Sequence, residues 1–133
     1  MPLLRPPHER LAIALVLWVI VSIGCEAPPH RAVFGDLATA DRIELRTNML
    51  YVVTDRSKIQ VAATFFDRYR DGWKTIPSGG GAPLFITFLK DGADIGTIGV
   101  GGGFLSMGSS TRYPPEAEIT ALVRGLGVPW PRS

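Results

Sequence analysis

Apolar and polar positions begin to alternate at Asp41. Ile43 and Leu45 are set between Arg42, Glu44 and Arg46, a period of two that buries one face of a strand and leaves the other in water. After a turn at Thr47 and Asn48, the run "LYVV", residues 50 to 53, is rich in β-formers, so the two segments are predicted to form a hairpin. The period then changes. In "TDRSKIQVAATFFDRYRDGW", residues 54 to 73, Ile59, Ala62, Phe66, Tyr69 and Trp73 recur at spacings of three and four. Ser57, Gln60, Thr64, Asp67, Arg68 and Asp71 occupy the other side, which predicts an amphipathic helix lying on a core. Thr54 or Asp55 is placed to cap its first turn and Gly72 to end it.

"TIPSGGGAP", residues 75 to 83, has the composition of a loop, and "LFITFLK", residues 84 to 90, resumes a strand. Asp91-Gly92 suits a tight hairpin turn, and "IGTIGVGGGFLSMG", residues 95 to 108, supplies two further strands around glycines 101 to 103. "YPPEAEITALVRGLG", residues 113 to 127, predicts a second helix. Proline is tolerated in its first turn, Glu116 and Glu118 complement its dipole, and Gly125 lies near its end. Ile119, Leu122, Val123 and Leu126 form its apolar side. The order β-β-α-β-β-β-α predicts a small α+β domain over residues 41–128, an antiparallel sheet of about five strands with both helices on one face. Residues 129–133 are left as a tail.

The first 25 residues follow a different rule. Arg5 and Arg10 precede "LAIALVLWVIVSIG", residues 11 to 24, which carries no charge. A basic start, a short apolar run and small residues after it describe a secretory signal peptide, and the run falls short of the roughly 20 residues that span a bilayer. It ends at Cys25, the single cysteine of the chain. The stretch "VSIGC", residues 21 to 25, resembles the lipobox of bacterial lipoprotein precursors, with Ser22, Ile23 and Gly24 before the cysteine. Ser22 departs from the Leu most often found at its place.

That resemblance implies cleavage between Gly24 and Cys25, a diacylglyceryl group on the Cys25 thiol and acylation of the new amino terminus, palmitate being a typical chain. Two or more acyl chains anchor a protein stably where one holds it only marginally. The resemblance thus implies a signal peptide over residues 1–24 and a protein held by lipid on the extracytoplasmic side of a bacterial cell envelope. Glu26, in place of the Asp that retains such proteins in the inner membrane, favours the outer membrane. An uncleaved anchor and an ordinary signal peptide are the alternatives, and both also put the domain outside the cytoplasm. Residues 25–40, the lipidated cysteine and the Pro-rich "EAPPHRAVFGDLATA", are expected to form a tether.

At 133 residues the chain has room for one domain. Its formal charge of +2 comes from 14 basic and 12 acidic residues, interspersed in sign, which argues against a nucleic-acid partner. A lone cysteine forms no intramolecular disulfide, so the core must stabilise the fold unaided.

From Asp41 onward there is no His or Cys, which removes the usual base of a serine triad, every cysteine nucleophile and the commonest zinc ligands. "GTIGVGGG", residues 96 to 103, lacks the following helix that a dinucleotide fingerprint requires, so its glycines are read as structural. No cofactor and no metal is expected, and no catalytic residue is assigned. The carboxylate pairs Asp91 with Asp94 and Asp67 with Asp71 are the only candidates for acid–base work. Tyr113 and Trp130 are the aromatics least easily buried and form a candidate binding surface, since interfaces are enriched in both types.

The expected function is that of a binding or structural module at the envelope, contacting an unidentified protein or envelope ligand through the open sheet face or the glycine loops at 78–81 and 99–103. A carboxylate-dependent envelope hydrolase and an inhibitor or immunity-like partner of another protein are the alternatives.

Overall fold

The structure is a computed structural model and describes residues 29–75 and 81–130. Six strands form one antiparallel sheet: β1 (Arg42–Arg46), β2 (Leu50–Val53), β3 (Leu84–Lys90), β4 (Ala93–Val100), β5 (Leu105–Met107) and β6 (Ser110–Arg112), in the spatial order β2-β1-β3-β4-β5-β6. Helix α1 (Arg56–Arg68) joins β2 to β3, and α2 (Glu116–Gly125) follows β6. The class is α+β, with one strand more than expected. The region from 95 to 108 continues β4 and forms β5, and the extra strand, β6, comes from residues whose three-residue length is too short to show a period.

The alternation in β1 sets the register. Ile43 and Leu45 stand opposite Phe88 and Ile86 of β3, and Ile86 stands opposite Ile98 of β4; all five are fully buried. Both helices pack on this face. Ile59, Ala62, Ala63, Phe65 and Phe66 come from α1 and Ile119, Leu122 and Val123 from α2, with the Phe66 ring edge-on to that of Phe88 at 5.7 Å between centroids. The opposite sheet face carries Arg42, Glu44, Arg46, Phe85, Thr87 and Thr97, all exposed or half-buried.

Local signals read from the sequence have the expected structural causes. Asp55 caps α1, its carboxylate accepting from the amides of Ser57 at 2.9 Å and Lys58 at 3.3 Å and from the Ser57 hydroxyl. Asp91 and Gly92 both have positive φ, 52° and 80°, the pair of left-handed residues that a two-residue hairpin turn between β3 and β4 requires. Helix α1 ends at Arg68, one turn earlier than the apolar stripe extends. Tyr69 and Trp73 are still buried, but Trp73 reaches the core from an extended segment paired with His30.

Residues 30 to 40, expected as a tether, are part of the folded domain. His30 and Trp73 exchange both backbone hydrogen bonds, at 2.8 and 3.0 Å, and the Ala32 amide donates to the Arg70 carbonyl at 2.7 Å. Leu37, in a single 3-10 turn (Leu37–Thr39), and Ala40 are fully buried. The chain crosses the core face beside β4, where a Cβ on Gly96 would lie 2.9 Å from Leu37 Cδ2 and 3.0 Å from Phe34 Cβ. Glycine at 96 is therefore what lets this segment approach. Periodicity missed it because one buried leucine between short turns has no period. His30, inside the stretch expected as a tether, belongs to the domain through its backbone pairing with Trp73.

Candidate functional site

Helices α1 and α2 lie side by side on the sheet and leave an open groove of about 440 Å³ between them, lined by Gln60, Val61, Thr64, Phe65 and Arg68 from α1 and Glu118, Ala121 and Leu122 from α2. The spacings explain the lining. On α1, Val61 and Phe65 are four residues apart and fall beside the Ile59–Ala62–Phe66 stripe, so they widen the apolar face beyond what the sheet covers. On α2, Glu118, Ala121 and Leu122 fall on one side at spacings of three and four. Phe65 and Leu122 form the floor, nearly buried, whereas Val61 is 62% exposed.

One end of the groove is closed by a polar contact. The Tyr69 hydroxyl, at the C-cap of α1, donates to Glu118 Oε2 in the first turn of α2. This hydrogen bond is the chief cause that pushes the Tyr69 hydroxyl above the usual tyrosine range, with burial and the carboxylate's charge acting in the same direction. The Tyr69 ring packs against Phe65 at 5.1 Å between centroids and under the Arg112 guanidinium at 5.2 Å. Its carbonyl accepts from Trp73 Nε1 at 2.6 Å. At the groove's upper rim Gln60 is already engaged, its amide donating to the Ala38 carbonyl at 2.8 Å. The groove thus offers an apolar floor with a cation, Arg68, and a carboxylate, Glu118, among its lining residues.

The sequence-predicted residues lie elsewhere. Tyr113, 56% exposed, precedes α2, and Trp130, 36% exposed, follows it. They flank a ten-residue helix. Trp130 borders a depression of about 480 Å³ with Thr120, Val123, Arg124 and Val128. Of the glycine loops, residues 78–80 lie outside the described residues. Gly99 is in β4, where a Cβ would come 2.8 Å from that of Ala82, and Gly101 lies directly beneath the Phe104 ring. These glycines make room for packed side chains. Cys25 and Gly24 lie outside the described residues.

Asp94, Asp67 and Asp71 have local partners, and Asp91 is a turn residue. Asp94 accepts from the Gly96 amide at 2.8 Å and from the Thr97 hydroxyl at 2.7 Å, while Asp91 occupies the β3–β4 turn, its amide donating to Asp41. Asp67 pairs with Arg70 at 2.8 Å, and Asp71 lies 4.0 Å from Arg31. His30 Nε2 lies 3.0 Å from Ser110 Oγ, a contact that joins the incoming chain to β6. No group of three or more metal-ligating side chains occurs among the described residues, and none of their helices is long and apolar enough to cross a membrane.

Sequence reasoning did not find the groove. The signal was there in Val61 and Phe65, apolar residues outside the core stripe, but their side of α1 acquires meaning only once α2 lies beside it. Comparison with protein-family models, curated proteins and solved structures returns no match.

Proposed function

We propose that this chain is a lipid-anchored protein of the bacterial cell envelope whose α+β domain is a binding module, with the groove between α1 and α2 receiving an apolar segment of a partner protein. The groove carries the reading. Val61 remains 62% exposed beside a floor of Phe65 and Leu122, an arrangement suited to the apolar anchors of an amphipathic helix. Each large apolar side chain fully buried there contributes about 1.5 to 3 kcal/mol before the costs of association. The anchor half of the proposal is supported by "VSIGC" ending at Cys25.

Photo-crosslinking in the native envelope tests the groove. A crosslinking side chain at Val61 should trap a discrete protein adduct, whereas the same group at Val52, on the far sheet edge, should not. Adducts of equal yield at both positions would remove the groove as the binding site.

A further inference from the structure

We infer that the domain stands on the bilayer by the edge of its sheet at which the chain enters, with Arg31, Lys74 and Arg112 against anionic lipid headgroups and β2 pointing away from the membrane. The inference rests on lipidation of Cys25. The length of chain outside the fold carries it first. Three residues separate Cys25 from Pro29, the first described residue, so four steps along the chain reach at most about 14 Å, little more than the 10 to 12 Å diameter of one helix. From His30 onward the chain is held by the exchanged hydrogen bonds with Trp73. No long tether remains to lift the domain, so the surface around His30 lies next to the lipid.

The topology says which surface that is. His30 pairs with Trp73, and Lys74 pairs with Thr111 of β6, so the incoming chain continues the sheet beyond β6. Strand β2 is at the other edge of the same sheet, about 30 Å away at the usual strand spacing.

The charge around His30 suits an anionic surface. The Arg31 side chain is 69% exposed, Lys74 is exposed, and Arg112 lies over the Tyr69 ring with its Nε donating to the Asp71 carbonyl at 2.8 Å. The carboxylate beside these cations among the described residues is Asp71, 4.0 Å from Arg31; Asp67 and Arg70 neutralise each other at 2.8 Å, and the link adds Glu26 by sequence. From Cys25 to Ser133 the chain has 12 basic and 11 acidic residues, so three neighbouring cations are a local concentration on a nearly neutral chain. Val33, 89% exposed, and Tyr113, 56% exposed, add apolar contact of the kind found at headgroup level. A cation near an anionic membrane favours the docked state about fivefold.

The test uses the full-length lipidated protein in vesicles of phosphatidylcholine and phosphatidylglycerol containing brominated lipid. Val33→Cys and Val52→Cys, both at exposed positions, each introduce a single labelling thiol once Cys25 carries its diacylglyceryl group. The expected result is quenching of a fluorophore at 33 and none at 52, with the quenching at 33 reduced by Arg31→Glu combined with Lys74→Glu. Equal quenching at the two positions, or none at 33, overturns the inference while the anchor stands. Shielding from solvent at 33 without quenching by lipid also overturns it, because it marks a protein neighbour. An intact-mass measurement made first separates the two readings: without the lipid on Cys25, the anchor and the docked orientation fall together.

Discussion

The hydroxyl of Tyr69, the residue that caps the end of α1, donates to the carboxylate of Glu118 in the first turn of α2. It joins two helices 49 residues apart in the chain and sets one end of the groove between them. Glu118 also lies where the α2 dipole favours a negative charge.

Tyr69→Phe keeps the ring contacts with Phe65 and Arg112 and removes the hydroxyl's contacts with Glu118 and Arg68, so it should lower stability by about 1 kcal/mol. The effect depends on pH. Because the folded state raises the Tyr69 pKa above its ordinary 10.0, the contribution is full below pH 10 and declines as pH rises through the region where the unfolded chain has released its proton and the folded one has not. Denaturant unfolding of wild type and Tyr69→Phe should show a stability difference that is constant near neutrality and shrinks at alkaline pH.

At the other end of α1, the Asp55 carboxyl is held below the usual carboxylate range, first by its hydrogen bond from the Ser57 side chain and then by the Lys58 and Ser57 amides. A lowered pKa stabilises the fold above the unfolded value, and this is lost as pH falls through the folded value. Asp55→Ala should lower the thermal midpoint at neutral pH and have less effect in strong acid, whereas Asp55→Asn should retain most of the cap.

The segment before Asp41 is needed for folding. Leu37 is fully buried, so Leu37→Ala should cost about 2 to 5 kcal/mol. A fragment beginning at Asp41 should melt well below one beginning at residue 26 by circular dichroism. Equal midpoints would restore the tether reading for residues 30 to 40.

Val61→Asp places a charge over the apolar floor without disturbing the core, since this side chain is mostly in solvent. It should leave the unfolding curve within about 0.5 kcal/mol of wild type while abolishing the adduct trapped by a crosslinking group at Ala121, across the groove. Retention of that adduct would argue against the groove.

Cys25→Ser should abolish incorporation of labelled palmitate and leave a precursor that retains residues 1–24. Unchanged mass and membrane attachment would refute the lipobox reading.

What local pattern decides, the sequence shows directly. The alternation at Ile43 and Leu45, the stripe Ile59–Ala62–Phe66 and the Asp91-Gly92 turn each depend on neighbours within a few residues, where periodicity and φ preferences act. These elements were sufficient for the α+β class and for the order of the two helices.

Three features came from tertiary structure alone. Leu37 enters the core beside Gly96, 59 positions later in the chain, a contact that no local period encodes. Trp73 is buried through pairing with His30 and not through the helix its spacing suggested. Val61 and Phe65 become a groove wall only because α2 lies beside α1, joined through Tyr69 and Glu118. In each case the physical reason is the same: burial depends on what another part of the chain brings near, and the spacing of a residue from its own neighbours carries no information about that.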